Sequence, residues 1–402
     1  VTVEPTPGVD AQPSLAYLLV CLGRIEGRVR RAVERRRAGE SDTSDRFRGL
    51  YISEADVDRL LDGNETTILA DHDLDGAPDP RLDGWVRHNE DSGADLRLRR
   101  LTLEFGLSAM DVELLLIALA PDLDARFERL YGYLQDDITH RRASAGLAIE
   151  LCGHPTWSSA ARSRLAAEAP LRAGGLVGLE GSERPLLSRS LRVPDRVIAF
   201  LLGSDAPDPI VAPLCVESSA ANLPAARLLA DAVERGARLV YLVDRTGAAA
   251  RSVVAEAFRL LDEPLLSLDL SRALDGVTPT DVARLAVREV RLRGGGMVVG
   301  PVEAFAASVP DAIRALADGP RPTVLIGHAA WEPSWSLRVP LIWDAPVPSA
   351  AERTGMWCDV LGDADGVGDP ALPDQLTPFR LTPDQVVRAT SSAVMRSRAS
   401  GR

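Results

Sequence analysis

The turn Arg245-Thr-Gly-Ala-Ala-Ala-Arg-Ser252 joins an apolar, strand-like stretch, Leu239–Val243, to a helix-like stretch, Ala248–Leu261. At such a turn, backbone N–H groups and a helix N-terminus can close around a phosphate. The pattern that does this is G-x-x-x-x-G-K-[ST]. Its glycines let the backbone approach, its lysine reaches the outer phosphates, and its hydroxyl meets magnesium. Here Arg245 and Ala250 replace the glycines, Arg251 replaces the lysine, and only Ser252 fits. The candidate phosphate-contacting residues are Gly247, which permits the turn, with Arg251 and Ser252. Arginine can pair with phosphate, but its planar fork is not the compact, mobile ammonium that lysine supplies. A generic strand-to-helix turn accounts for the same residues equally well.

The other positions needed for phosphoryl chemistry read as altered. The next strand should end in a carboxylate pair, one for magnesium and one to polarise water; Met297-Val-Val-Gly-Pro-Val-Glu303 has Gly300 and Pro301 there. Glu303 reads as a helix-start residue rather than a base. His328, after the strand Thr323–Ile326, stands where a polar sensor of the outer phosphate would sit, and reads more simply as a packed or surface histidine. No catalytic residue and no metal ligand is therefore expected. Asp71-His-Asp-Leu-Asp-Gly76 opens like a calcium loop, but Leu82 occupies the place of the bidentate glutamate. That stretch reads as a solvated acidic loop.

All 46 Lys+Arg positions are arginine, and the formal net charge is −12. An acidic chain has no general grip on nucleic acid or on an anionic membrane. Cys21, Cys152, Cys215 and Cys358 are too scattered for a zinc knuckle or a disulfide framework. No charged n-region precedes an apolar run, so a cytoplasmic location is expected, with no membrane contact.

These sites need elements to hold them. Residues 1–13 read as a disordered tail. A helix from Ser14 repeats Leu15, Leu22 and Val29, and Leu18, Ile25 and Ala32, at heptad spacing. It suits a bundle helix packed on its own domain, or a partner or self-association helix. Ser53–Leu61 reads as a capped helix, and the helical segment with its acidic loop closes at residue 94. Residues 95–215 read as helices Val112–Ala120, Ala125–Gln135 and Ile138–Cys152, followed by strands Gly175–Glu180 and Leu186–Val193. That is the layout of a winged helix, with protein contact favoured over duplex DNA by the mixed charges. Residues 216–346 alternate strands and helices, which predicts a parallel α/β sheet covered on both faces. Residues 347–402 read as a small helical lid, with Ala350–Leu361 and Pro383–Met395 as its main pieces.

Several strings along the chain resemble a known family: Leu22-Gly-Arg-Ile-Glu26, Arg46-Phe-Arg-Gly-Leu-Tyr-Ile-Ser53, Asp111-Val-Glu-Leu-Leu-Leu116 and Ala120-Pro-Asp-Leu-Asp-Ala-Arg-Phe-Glu-Arg-Leu-Tyr131. Tyr133-Leu-Gln-Asp-Asp137, Leu191-Arg-Val-Pro-Asp-Arg-Val197 and Phe379-Arg-Leu-Thr-Pro-Asp-Gln385 extend the likeness over nearly the whole chain. The chain resembles the AAA+ ATPases that accompany phage-tail-like contractile injection systems. The resemblance implies an N-terminal winged-helix region, a degenerate first AAA-like P-loop module with its lid, and ATP, with Mg2+ accompanying it, as the nucleotide. It also implies protein partners or a homo-oligomeric ring. The family's intact ATPase motifs belong to a second module, for which this chain has no second Gly-rich loop with lysine. The expected function is a catalytically degenerate nucleotide-binding-fold scaffold. The alternatives are a DNA-binding winged-helix regulator, or a truncated ATPase whose active module is missing.

Overall fold

The computed structural model describes residues 13–39, 58–61, 80–306, 309–362 and 371–400. The acidic loop at 71–76 and the serine expected to cap a helix at 53 lie outside the described residues. The chain divides into two compact units, Val1–Ala206 and Pro207–Arg402.

In the first unit, α1 (Pro13–Gly39) is a single long helix, beginning one residue ahead of expectation. Of the heptad positions, Leu18, Leu22, Ile25 and Val29 are buried and Leu15 and Ala32 half-buried, so most of the seam is packed within the unit. Polar ties fix its register: Arg28 donates to Glu113 and to the Leu151 carbonyl at 3.0 Å, and Arg36 donates to the Leu134 carbonyl at 3.0 Å.

Helices α2 (Pro80–Asp91), α3 (Arg97–Glu104), α4 (Ala109–Leu123) and α5 (Arg126–Leu134) follow. Ser108 and Asp111 form a reciprocal cap at the start of α4, satisfying donors that the first turn leaves open. The helix does not stop at Pro121 as expected but carries it inside. A proline there cannot donate to the carbonyl of residue 117. The buried Tyr131 hydroxyl does so instead, at 2.9 Å from the Ile117 oxygen.

The expected helix Ile138–Cys152 is also shorter, with only α6 (Ala145–Leu151) forming. Asp137 accepts from the Thr139 N–H and hydroxyl at 2.9 and 2.6 Å. The Gln135 amide donates to the carbonyls of His140 and Arg142 and accepts from the Ser144 N–H at 2.8 Å. These local bonds offer the backbone an alternative to the helix. Two short helices, α7 (Ser159–Ser163) and α8 (Pro170–Ala173), lead to the antiparallel pair β1 (Gly178–Glu180) and β2 (Ser190–Arg192). Leu186–Ser188 is a 3₁₀ turn rather than the start of the second strand. Helix α9 (Asp195–Leu201) closes the unit.

The second unit carries a five-stranded sheet. Its strands are β3 (Leu239–Val243), β4 (Leu265–Asp269), β5 (Gly296–Gly300), β6 (Thr323–Gly327) and β7 (Leu341–Asp344). The order is β4-β5-β6-β3-β7 and every pairing is parallel. The period of two sorts side chains to opposite faces. Tyr241, Met297, Val299 and Leu325 pack with α12 (Pro279–Arg293) and α14 (Pro310–Ala317). Val240, Leu242, Val298 and Val324 pack with α10 (Pro224–Glu234) and α11 (Ala250–Leu260). The short α13 (Glu303–Ala306) follows β5. Two glycines of the triple glycine that leads into β5 are required by space: a Cβ on Gly295 would strike the Pro264 carbonyl, and one on Gly296 would strike Phe258. The final helices are α15 (Ala350–Gly362), α16 (Leu372–Leu376) and α17 (Pro383–Ser400). Among the described residues, no helix is long and apolar enough to cross a membrane.

Candidate functional site

The candidate cradle lies at the C-terminal end of β3, where open parallel sheets hold their ligands. The strand extends one bond further, from Asp244 N to the Gly327 carbonyl at 2.7 Å. Gly247 has φ +80°, and a Cβ there would come within 3.2 Å of the Arg380 carbonyl. Glycine is thus required both by backbone conformation and by the closeness of the segment before α17. The loop's N–H groups are partly spent: Ala248 donates to the Arg245 carbonyl at 2.8 Å and Ala249 to the Pro346 carbonyl at 2.9 Å. Helix α11 then starts at Ala250 with no side-chain cap.

Arg251 does not point out of the cradle. Its guanidinium donates to Ser267 Oγ at 3.1 Å, to the Leu268 carbonyl at 2.9 Å and to the Gly300 carbonyl at 2.6 Å. It therefore bridges the ends of β4 and β5. Burial pulls its pKa below the usual arginine value, while Asp269, Asp384 and Asp244 act the other way. Asp244 is raised, chiefly by burial, against the lowering effects of His328 and Arg251. Its Oδ1 is buried with no hydrogen-bond partner. Ser252 is 1% exposed within α11. The fold thus brings Gly247, Arg251 and Ser252 to one turn, with the arginine's donors engaged by the protein itself.

Where a carboxylate pair would stand, Gly300 leaves no room for a side chain, because a Cβ would lie 2.7 Å from the Ile326 carbonyl. Glu303 begins α13. Its Oε1 accepts from the N–H groups of His328 and Ala329 at 2.6 and 2.9 Å, so it caps the end of β6. His328 is exposed, with Nδ1 2.8 Å from the Asp244 carbonyl. Among the described residues, no group of three or more His, Cys, Asp or Glu could hold a metal ion.

The first unit holds a second candidate surface. Its chain order is helix α5, a bridge at Ser144 to Ser190, helix α6, the broken pair α7 and α8, then the β1–β2 hairpin. Helices followed by a hairpin are the layout read from the sequence; the helices are reassigned, and the Ser144 bridge is an addition that the sequence reading did not contain. The family model for the winged helix domain, variant, matches residues 12–215, about half of the chain. The chain belongs to this winged-helix family. No curated protein matches it.

The third helix of a winged helix is the element that enters a DNA groove. The helical stretch that precedes the hairpin here is broken into α7 and α8, and its arginines are bound within the unit. Arg162 donates to the Thr156 carbonyl at 2.6 Å, Arg172 to the Leu165 carbonyl at 3.2 Å, and Arg164 to Asp111. On the wing, Arg189 donates to the carbonyls of Arg184 and Ser182 at 2.8 and 2.9 Å, and Arg192 pairs with Glu180 at 3.2 Å. The sequence analysis did not single out Arg162, Arg164 and Arg172, and their partners become visible only in the fold.

Proposed function

We propose that the chain is an AAA-like scaffold that does not hydrolyse ATP, carries a winged-helix region, and acts through protein contacts within a contractile injection system. The injection-system setting rests on the resemblance of its sequence strings to that ATPase family. The single observation that carries the inactive reading is the position of the Arg251 guanidinium, bonded to the Leu268 and Gly300 carbonyls. A Mg–triphosphate needs donors for its oxygens and a carboxylate for the metal's water. Arg251 directs its donors to main-chain oxygens, and Gly300 excludes a carboxylate. The residues present do not fit that ligand, and no hydrolytic step is assigned to them.

An apolar run supports the protein-contact reading. Leu337 and Val339 are 89% and 94% exposed; Leu341 and Ile342 continue the run on the edge strand β7, and exposed Val347 follows it. Exposed apolar edges of this kind are covered by protein partners or by a second copy. On the winged helix, the internal arginine bonds favour protein contact over duplex DNA.

Phosphate release from Mg–ATP by the purified chain tests the reading, with no turnover expected. Mg-dependent turnover abolished by Arg251→Ala would defeat it. Light scattering after size exclusion, with and without nucleotide, should show an assembly larger than the monomer; a strict monomer in both conditions removes the ring. Retention of duplex DNA in a gel-shift series that weakens with salt would replace protein contact with DNA binding.

A further inference from the structure

A second layer of contacts covers the same turn and involves the segment that precedes α10. Cys215 forms an antiparallel bridge with Leu268, and Val216 N donates to the Ser267 carbonyl at 3.0 Å. The segment thereby adds itself to the outer edge of β4 and then reaches Ser252, at the end of the 245–252 turn. Ser218 Oγ lies 2.9 Å from Ser267 Oγ. Ser219 N donates to Asp384 Oδ1 at 2.7 Å, and Ala221 N to the Ser252 carbonyl at 3.4 Å.

A guanidinium only donates, so Ser267 Oγ accepts from Arg251 at 3.1 Å, and it shares a further hydrogen bond with Ser218 Oγ in which either hydroxyl can donate. The next residue, Ser219, donates its N–H to Asp384 near the start of α17. That start is fixed by a reciprocal pair, Thr382 N to Gln385 Oε1 at 2.9 Å and Gln385 N to Thr382 Oγ at 3.3 Å. The segment before it seats the Arg380 carbonyl against Gly247.

We propose that the relay Arg251–Ser267–Ser218, continued by Ser219–Asp384, is a latch that holds the strap 215–221 and the lid helix α17 closed over the cradle. The chain's own carboxylate does the holding, so closure needs no nucleotide. This inference rests on reading the 245–252 turn as a cradle filled by its own chain.

Amide hydrogen exchange of the full-length protein, followed in peptides spanning 214–222 and 378–392, tests the latch. Asp384→Ala removes the acceptor and is expected to speed exchange in both segments about tenfold or more, the worth of one charge-assisted bond. Asp384→Asn keeps an acceptor oxygen and should give a smaller rise. Equal rises in the two variants would assign the effect to helix-start charge and overturn the latch. Ser218→Ala leaves the lid sequence intact and should still speed exchange in the lid; a rise confined to the strap also overturns the coupling. Exchange in the wild type is expected to be unchanged by Mg–ATP at both segments, and protection by nucleotide counts against the proposal. Phosphate release is measured separately. Turnover with the exchange coupling intact would sink the non-hydrolysing function and spare the latch, whereas lost coupling without turnover would sink the latch alone.

Discussion

Tyr131→Phe removes one oxygen from a fully buried ring, and that oxygen has a specific task. Pro121 inside α4 cannot donate to the Ile117 carbonyl, and the Tyr131 hydroxyl reaches it at 2.9 Å. The variant loses a bond worth about 1 kcal/mol and strands a buried acceptor at a cost of about 1–3 kcal/mol. We expect about 2–4 kcal/mol in total, with no packing loss added because the ring itself stays in place. The cause can be isolated with Pro121→Ala, which restores an N–H at the position that bonds residue 117 in a regular helix. In that background Tyr131→Phe should cost about 1 kcal/mol less, since the carbonyl is no longer stranded. The assay is native-state hydrogen exchange in peptides covering 109–134, because a chain of two units need not unfold as one. Additive effects, with coupling below about 0.5 kcal/mol, would refute the substitution of hydroxyl for amide.

Asp111 is fully buried, and burial alone would raise its pKa; its bonds to Arg164 and Ser108 outweigh that, leaving it lowered. A depressed carboxyl stabilises the fold above its unfolded pKa of about 3.9, and the contribution is lost as pH falls through the lower folded value. Asp111→Asn should therefore cost about 2 kcal/mol at neutral pH. The gap from wild type should close below about pH 4, followed by denaturant midpoints across pH. Gly296→Ala puts a methyl into Phe258 and within 2.8 Å of the Pro322 carbonyl; we expect a loss of about 3 kcal/mol or more in the sheet unit, read from circular dichroism on heating. Arg288→Met leaves Asp208 without its partner at 2.6 Å inside the second unit. A cost of about 3 kcal/mol is expected there, while exchange in α4 should not change.

The sheet was legible because its strands announce themselves locally. Leu239–Val243 occurs at the expected bounds, and β4, β5, β6 and β7 each lie within a residue or so of the reading. Continuous apolar runs separated by amphipathic stretches are what a parallel sheet buried on both faces requires. The helices of the first unit were less legible. Pro121 reads as a stop because the sequence does not display Tyr131 beside Ile117. The 138–144 stretch reads as helical because the hold of the Gln135 amide on it depends on folding. The cradle divides in the same way: Gly247, Arg251 and Ser252 were visible as a degenerate turn, but the strap from Cys215 to Ala221 carried no signal, being an irregular serine-rich stretch. Its tie to Asp384 spans 165 positions of sequence.

Residue identity alone determined which groups are available: no lysine at the turn, no acid at the end of β5, and a glycine at 247 that allows a left-handed backbone. Those statements hold for any conformation, because they concern functional groups and local sterics. Where each group's hydrogen bonds go was decided only when distant segments met. Arg251 carries donors that could serve a phosphate or a carbonyl, and the ends of β4 and β5 decide between them by lying within 2.9 Å of it. A guanidinium taken from water must find acceptors, and folding supplies those from the main chain before any ligand arrives.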